Sequence, residues 1–356
     1  MKLTDPLVLG QYQLRNRLVM PPMVSFGLGC RDGDVTARHI HHYLARARAG
    51  TGLIVIEATA VLPEGRLSLE ELGLWRDEQI PGMAHVADAC HAGGALALVQ
   101  LHHAGPAACA EAGPRVGPSA YTDEKGPVRA LDGEEIAAIR SAFTQAALRA
   151  REAGLDGVEL HGCHGYLLNA FAHPGYNRRE DAYGGSTEGH TRLACEIIRD
   201  IQAACGEGFI VTLRMGGNDP DPAGSCQIAE AYIHAGVHGL NVSTGMDGSV
   251  PAPEGFPFDG RIYLAQQVRQ QAAGRVPVMG VGGVRSGEQA QAILDAGCAD
   301  LVCAGRAMLA DDQFAAAALA GAAPSYPCRG CKGGCRWPAG CPALKKRRQD
   351  SPMSPY

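Results

Sequence analysis

Eight short, almost continuously apolar runs recur along the chain, and longer stretches with helical periodicity separate them. The runs cover residues 18–21, 53–56, 95–99, 157–160, 209–213, 239–242, 276–279 and 301–303. Continuous apolarity is typical of parallel strands that are covered on both faces. The helical stretches include residues 134–152 and 188–205, and Asp132 is placed to cap the first of them. Eight strand–helix units predict an α/β fold, a (β/α)8 TIM barrel.

A doubly wound open sheet is the alternative architecture. It would predict a glycine-rich fingerprint directly after an early strand. The nearest match, Gly27-Leu28-Gly29, follows no clear strand and lacks the third glycine. We therefore predict a barrel over residues 1–322 and a short cysteine-rich C-terminal extension over residues 323–356. Two long segments, 105–131 and 244–261, follow strands and are predicted to cover the catalytic face.

Composition and charge narrow the class of protein. Hydrophobic residues make up 46% of the chain, which is ample for a large core. The formal charge of −5 offers no basic surface for nucleic acid, and no apolar run is long enough to span a bilayer. Thirteen cysteines without a signal-peptide pattern favour a reducing compartment. We expect a cytoplasmic homo-oligomer with neither a nucleic-acid nor a membrane partner.

Candidate catalytic groups follow the fourth predicted strand, where a barrel enzyme keeps its active site. His161 and His164 lie three residues apart, and Tyr166 comes two residues later. Two histidines at this spacing can donate hydrogen bonds to one oxygen, and a nearby phenol can deliver a proton. This set suits a reaction in which a carbonyl oxygen gains charge while a neighbouring carbon is protonated. The pattern alone leaves open a metal-binding pair or two structural histidines.

Several ordered motifs resemble the Old Yellow Enzyme family of flavin-dependent ene-reductases. They are His161-Gly-Cys-His164-Gly-Tyr166, Asn177-Arg-Arg-Glu-Asp181-Ala-Tyr183-Gly-Gly-Ser186, Asn16-Arg17-Leu-Val-Met20-Pro-Pro-Met23, Gln100-Leu-His-His-Ala-Gly105 and Gly305-Arg306. The likeness is closest to the bacterial members and to the barrel domain of 2,4-dienoyl-CoA reductase. It implies that NAD(P)H reduces bound FMN, which then reduces the C=C bond of an α,β-unsaturated carbonyl compound. The resemblance makes His161 and His164 the substrate-oxygen pair and Tyr166 the proton donor.

An FMN site is expected on the same face of the barrel. Loops after the seventh and eighth strands are the usual phosphate site of this fold, and their backbone amides can approach an oxyanion. The residues expected to bind the cofactor are Pro22, Met23, Ala58, Gln100, Arg214, Gly282, Gly283, Gly305 and Arg306. Alternatively, Arg214 forms a structural salt bridge, and the glycines only form ordinary turns. Val24 departs from relatives that place a polar side chain there, and Ser25 is a candidate substitute.

The C-terminal extension holds four cysteines, Cys328, Cys331, Cys335 and Cys341. Their spacing begins like the [4Fe–4S] motif of dienoyl-CoA reductase-like proteins, although the fourth cysteine of that motif lies farther downstream. Four thiolates would equally suit tetrahedral zinc. A cluster would imply a separate electron-transfer partner, and hence a flavin/iron–sulfur dehydrogenase or an enoyl- or dienoyl-CoA-type reductase. A non-catalytic flavin- or metal-binding subunit is disfavoured because a pure carrier needs no proton donor.

Overall fold

The computed structural model describes residues 1–25, 27–246, 252–331, 334–335 and 337–350. Eight parallel strands close into a barrel, which confirms the predicted fold. They are β1 (Leu18–Met20), β2 (Leu53–Ala60), β3 (Leu96–His102), β4 (Gly157–Gly162), β5 (Ile210–Gly216), β6 (Gly239–Ser243), β7 (Val278–Val281) and β8 (Leu301–Cys303). Each strand pairs with its neighbours in the chain, and β8 pairs with β1 to complete the ring.

Helices cover the outside of this ring. The longer ones are α1 (Ala37–Arg48), α2 (Ile80–Ala92), α3 (Gly133–Glu152), α4 (Thr187–Cys205), α5 (Pro222–Ala235), α6 (Gly260–Ala272) and α7 (Gly287–Asp295). Shorter helices span Leu167–Ala172, Gly305–Ala310, Phe314–Leu319 and Pro342–Asp350, and 3₁₀ turns span Pro63–Gly65, Asp77–Gln79 and Gly105–Ala107. As predicted, Asp132 caps α3, its carboxylate accepting the backbone N–H of Glu135 at 2.8 Å. None of the described helices combines the length and apolarity needed to cross a lipid bilayer.

Smaller strands close the bottom of the barrel and part of its top. The antiparallel hairpin of Leu7–Leu9 and Tyr12–Leu14 packs Leu9 and Leu14 against apolar residues inside the barrel. Leu72–Gly73 extends the sheet beside β2. Within segment 105–131, the strands Val116–Gly117, Tyr121–Asp123 and Gly126–Ala130 form a separate small sheet. Of the second predicted cover, segment 244–261, residues 247–251 lie outside the described part of the chain.

Several strands end later than the apolar runs indicated, and in two of them the difference places a predicted site residue inside the strand. β3 continues to His102 and β5 to Gly216, so Gln100 and Arg214 lie within strands instead of ending them. A polar side chain in an apolar run resembles a strand end in sequence. Here both side chains are buried, and Gln100 is hydrogen-bonded to Glu159 on the neighbouring β4. Because the upper interior of the barrel is polar, these residues continue the strands.

The C-terminal extension packs against the side of the barrel. Cys341, Ala343 and Leu344 form a small apolar cluster with Ala310. Arg347, on the last described helix, makes an ion pair of 2.7 Å with the buried Asp312. Apolar contacts and a buried ion pair therefore hold the extension against the barrel.

Candidate active site

The three predicted catalytic side chains meet at the carboxyl end of β4. His161 lies within the strand, and the ring centroids of His161 and His164 are 5.3 Å apart. The Tyr166 ring lies 4.7 Å from that of His161 and 6.3 Å from that of His164. His164 has φ of 62°, a left-handed conformation that is uncommon outside glycine and is found at functional turns. This turn brings Tyr166 back over the histidines.

Both histidines are held neutral and the tyrosine is held protonated. Burial is the main cause that lowers the pKa of His161 well below its usual value and that of His164 to about 3, and Arg214 lowers both further. Burial also raises the pKa of Tyr166 to about 12. A neutral imidazole donates one N–H, so the pair can polarise an oxygen without bringing a full charge. The phenol keeps a proton to give.

The His164 ring is fixed from β6, whereas that of His161 is not fixed by a hydrogen bond at Nδ1. His164 Nε2 lies 2.8 Å from the hydroxyl oxygen of Ser243. The Nδ1 atom of His161 is buried without a hydrogen-bond partner in the described chain. Native structures pair most buried polar atoms, so an unpaired one at the mouth of a barrel indicates a place for a ligand.

Arg214 lies directly beside His161, its register partner on the adjacent strand. Its guanidinium is buried and makes only long contacts, 3.5 Å to the carbonyl oxygen of Pro22 and 3.5 Å to the hydroxyl of Ser243. Its Nε is unpaired, and no ion pair joins Arg214 to a carboxylate of the described residues. The salt-bridge alternative is thus not observed within that part of the protein. A buried cation in this state can accept an anionic ligand.

A layer of buried polar side chains lies one step below the histidines. Glu159 accepts a hydrogen bond of 2.8 Å from the Gln100 amide and one of 2.9 Å from the Asn241 amide. The side-chain carbonyl oxygen of Asn241 has no hydrogen-bond partner among the described residues. Burial raises the pKa of Glu159, and the charge of Arg214 opposes that shift. Gln100, a predicted cofactor residue, therefore has one amide N–H bound and its carbonyl oxygen available for a ligand.

A cleft opens beside Arg214 between the ends of β7 and β8. It is lined by Met23, Arg214, Arg261, Val281, Gly282, Gly283, Val284, Arg285, Cys303, Gly305, Arg306 and Cys328. A Cβ atom on Gly305 would lie 2.8 Å from Met23 Sδ and 3.2 Å from Pro21 Cγ, so a larger residue there would push the Met23 side chain, which lines the cleft. Gly283 has φ of 63°, a left-handed backbone conformation that favours glycine.

The cleft is rich in guanidinium groups. Arg261 was not among the predicted site residues; Asp259 holds it through an ion pair of 2.8 Å. It lines the cleft together with Arg214, Arg285 and Arg306, beside the glycines of the loops after β7 and β8. Arginine recognises phosphate through several parallel hydrogen bonds, and the loops after the last two strands are the usual phosphate site of this barrel. The donor set fits the phosphate and ring of FMN.

Comparison with known proteins agrees with this geometry. The model of the NADH:flavin oxidoreductase / NADH oxidase family matches residues 2–323. The chain belongs to that family. It is 38% identical over 314 residues to an NADPH dehydrogenase of Halalkalibacterium halodurans, covering 86% of this chain and 91% of the relative. It superposes on morphinone reductase with a TM-score of 0.75 and 29% identity, covering 91% of this chain and 90% of that one.

A longer relative has the same region as one part of a larger protein. An NADH oxidase of Thermoanaerobacter brockii is 38% identical over 324 residues, which cover 86% of this chain but only 49% of the relative. The chain thus spans about half the length of that protein. Membership of the family makes the chain an enzyme, an FMN-dependent NAD(P)H oxidoreductase of the Old Yellow Enzyme type.

Ser25, the candidate substitute for a polar side chain at Val24, makes its hydrogen bonds within its own turn and to Glu57. The hydroxyl of Ser25 donates to the carbonyl oxygen of Met23 at 3.0 Å, and its backbone N–H donates to Glu57 at 2.6 Å. Because the side chain is buried and its donor is used within the turn, it is not free for a flavin edge. Of the other predicted ring contacts, Met23 lines the cleft, and Ala58 is buried within β2.

Three of the four tail cysteines, Cys328, Cys335 and Cys341, lie near one another, but their sulfur atoms form no close group among the described residues. Tetrahedral zinc would bring its thiolates to within roughly 4 Å of one another. Among the described residues, the one group of metal-ligand atoms within 4.8 Å is His161, Cys163 and His164. Cys328 lines the arginine-rich cleft and also packs against the cluster that holds Cys341, and the charges of both cysteines act on the exposed Cys335. A metal site formed by these cysteines therefore stays a prediction.

Proposed function

We propose that the enzyme reduces the C=C bond of α,β-unsaturated carbonyl compounds, using NAD(P)H as the reductant. The observation that carries this proposal is the meeting of two neutral imidazoles and a protonated phenol beside a buried arginine whose Nε has no partner in the described chain. This set offers donors for an oxygen that gains charge, and a proton for a carbon nearby. Reduction of an activated alkene needs both groups at once.

The residues divide the work as follows. His161 and His164 donate hydrogen bonds to the carbonyl oxygen of the substrate, and these bonds strengthen as negative charge develops there. Tyr166 gives its phenolic proton to the α-carbon. FMN, when bound, would accept hydride from NAD(P)H and supply it to the β-carbon. Arg214 contributes the positive charge that favours the electron-rich form of the cofactor.

Other residues of the site would bind the cofactor. Gly282, Gly283, Gly305 and Arg306 would hold the phosphate through backbone N–H groups and a guanidinium. Gln100, Arg214 and the Pro22–Met23 segment would contact the ring. Support comes from the cleft that Met23, Arg214, Arg306 and the three glycines line.

A dehydrogenase or a CoA-type reductase that exchanges electrons with a separate partner protein is the second candidate. One observation favours it: Cys328 lines the same cleft as Gly305 and Arg306. A metal ligand at this position would lie beside the cofactor. Iron and acid-labile sulfide in protein purified without air would support this candidate, and their absence would remove it.

The test is to measure the two half-reactions separately in Tyr166→Phe. Flavin reduction by NAD(P)H should stay near the wild-type rate, because Tyr166 takes no part in it. Flavin reoxidation by cyclohexenone should slow by roughly 10²–10⁴-fold, the usual contribution of a general acid. Tyr12→Phe, in the hairpin at the other end of the barrel, is the matched control and should change neither rate. Equal losses in both half-reactions would refute the assignment of Tyr166.

A further inference from the structure

A second pocket lies outside the arginine-rich cleft, between the barrel and the C-terminal extension. Gly27 and Leu28, in the loop after β1, form one wall, the first turns of α1 form another, and Pro338 and Arg348 of the extension form the third. The pocket encloses about 310 Å³. The family match ends at residue 323, so the third wall comes from a part of the chain outside that match.

Direct contacts join the walls of this pocket. The hydroxyl of Thr36, which precedes α1, donates to the carbonyl oxygen of Leu28 at 3.0 Å. The ring of His42 on α1 meets the ring of Trp337 on the extension at a centroid distance of 5.3 Å. The ion pair between the extension helix and the buried Asp312 fixes the third wall. Hydrogen-bond, ring and ion-pair contacts therefore give the pocket its shape.

The charged side chains that the structure describes in the pocket are all basic. They are Arg38, His41 and Arg348, and each is exposed, so a solute can reach them. The first turn of α1 contains no acidic residue, and a helix N-terminus carries partial positive charge. Glu70 accepts the backbone N–H of Gly27 at 3.1 Å, but it is not among the described residues that line the pocket.

The charge of the extension agrees with that of the pocket. Residues 324–356 contain seven Lys or Arg and one acidic residue, in a chain whose formal charge is −5. Arg347 is used in the buried ion pair, whereas Lys345, Lys346 and Arg348 are exposed on the same helix. A local excess of one sign of charge draws in solutes of the opposite sign. The pocket is therefore suited to an anion.

The size and the apolar wall of the pocket indicate what kind of anion fits. Guanidinium groups recognise phosphate through parallel charge-assisted hydrogen bonds. A bare phosphate would leave most of the 310 Å³ empty. Leu28, Ala37 and Pro338 offer apolar contact for the remainder of a ligand. The combination suits a phosphate joined to a flat, largely apolar body such as a purine nucleoside.

The pocket lies close to the cleft assigned to the flavin. Met23 lines that cleft and Gly27 lines the pocket, so four residues of chain, which span at most about 14 Å, separate the two. The extension also joins them, because Cys328 lines the cleft and Pro338 the pocket. In an extended nicotinamide dinucleotide, the nicotinamide and the adenosine lie a comparable distance apart. One dinucleotide can therefore reach both places.

We propose that this pocket binds the 2′-phosphate and the adenosine of NADPH, and that the C-terminal extension thereby makes the enzyme prefer NADPH to NADH. Arg38 from α1 and Arg348 from the extension pair with the phosphate, and His41 donates a further hydrogen bond. Leu28 and Pro338 pack against the adenine. NADH carries a hydroxyl in place of the phosphate and leaves these charges unused. The inference rests on the proposed use of NAD(P)H as the reductant.

The experiment measures flavin reduction in the FMN-loaded enzyme over a range of NADPH and of NADH concentrations. Arg38→Gln and Arg348→Gln should each raise the NADPH concentration that gives half the limiting rate by about tenfold, through loss of one charge-assisted hydrogen bond. The limiting rate and the NADH value should stay as in wild type. Adenosine 2′,5′-bisphosphate should inhibit the wild-type NADPH reaction more strongly than adenosine 5′-monophosphate, and both variants should lose this difference.

Two exposed basic residues outside the pocket provide matched controls. Arg48→Gln lies at the other end of α1, and Lys345→Gln lies on the same helix as Arg348. Both should keep the wild-type values for NADPH and for NADH. If either control weakened NADPH use as much as the pocket variants do, the effect would come from overall charge and the site would be overturned.

The remaining outcomes separate the pocket from the function on which it rests. Equal changes for NADPH and NADH in the two pocket variants, or no change in either, would overturn the phosphate site and leave the ene-reductase proposal intact. If NADPH behaved as predicted but no enone reoxidised the flavin, the ene-reductase proposal would fail and the site would stand. If neither nucleotide reduced the wild-type flavin, both would fail.

Discussion

Replacement of Arg214 by methionine should have opposite effects on the FMN-free and the FMN-loaded protein. The side chain is buried, its Nε is unpaired, and its hydrogen bonds to Pro22 and Ser243 are both long at 3.5 Å. Without the cofactor the guanidinium is therefore a poorly satisfied charge. Methionine keeps much of the length of the side chain and removes the charge.

The magnitude for the loaded enzyme follows from Coulomb's law. Two unit charges about 4 Å apart interact by about 4 kcal/mol at an effective dielectric of about 20. Because the reduced flavin is the more negative form, most of this energy favours reduction. About 1.4 kcal/mol corresponds to about 30 mV for a two-electron couple. Loss of half to all of the interaction should lower the flavin potential by roughly 40–85 mV.

The FMN-free protein should respond in the other direction. A buried polar group without a partner costs roughly 1–3 kcal/mol, and a charged one costs more. Arg214→Met should therefore raise the free energy of unfolding of the apoprotein by about 1 kcal/mol or more, and its melting temperature by a few degrees. Arg46→Met is the matched control. That arginine is also buried, but it donates to the carbonyl oxygens of Met308 and His42, so its loss should destabilise the protein.

The assays are spectroelectrochemical titration of the loaded enzyme and thermal unfolding of the apoprotein. A lower potential together with a more stable apoprotein would support the cofactor role of Arg214. An apoprotein destabilised as much as Arg46→Met, with an unchanged flavin potential, would refute it and restore a structural role.

Two further changes test the cleft and a buried acid. Gly305→Ala should weaken FMN binding, measured by fluorescence titration, because its Cβ would lie 2.8 Å from Met23 Sδ; Gly133→Ala, with nothing within 4 Å, should leave FMN affinity unchanged. Burial raises the pKa of Glu57 from 4.5 to about 7. The folded state therefore holds a proton that the unfolded state releases. The stability that this proton contributes is lost as pH rises through about 7. Urea unfolding across that range should show a smaller decline in Glu57→Gln, and an equal decline would contradict the assignment.

The barrel could be predicted from sequence because its strands are buried on both faces. Near-continuous apolar runs locate all eight, and only their ends shift. The polar layer inside could not be predicted in the same way. Glu159 stands in the run 157–160. Its bond to Gln100 on β3 depends on the register of two paired strands, and its bond to Asn241 reaches β6 past the intervening β5. No local pattern encodes that register.

Sequence reasoning also missed two charged groups that reach the site from outside the eight strands. Arg261 reaches the cleft from the start of α6, and Glu71 reaches His102 from the loop that follows β2. Each was an ordinary charged residue in the sequence. The sequence does single out His102, because it stands next to His103 directly after Gln100-Leu101. Its contact with Tyr166, however, depends on the packing of β3 against β4.

The most direct test of the account is an anaerobic visible spectrum taken in three steps. The purified protein is recorded alone, then after NAD(P)H, and then after cyclohexenone. The account predicts flavin bands that bleach with NAD(P)H and return in full with the enone, as the saturated ketone forms. Protein without flavin, or flavin that NAD(P)H bleaches and no enone restores, would contradict it.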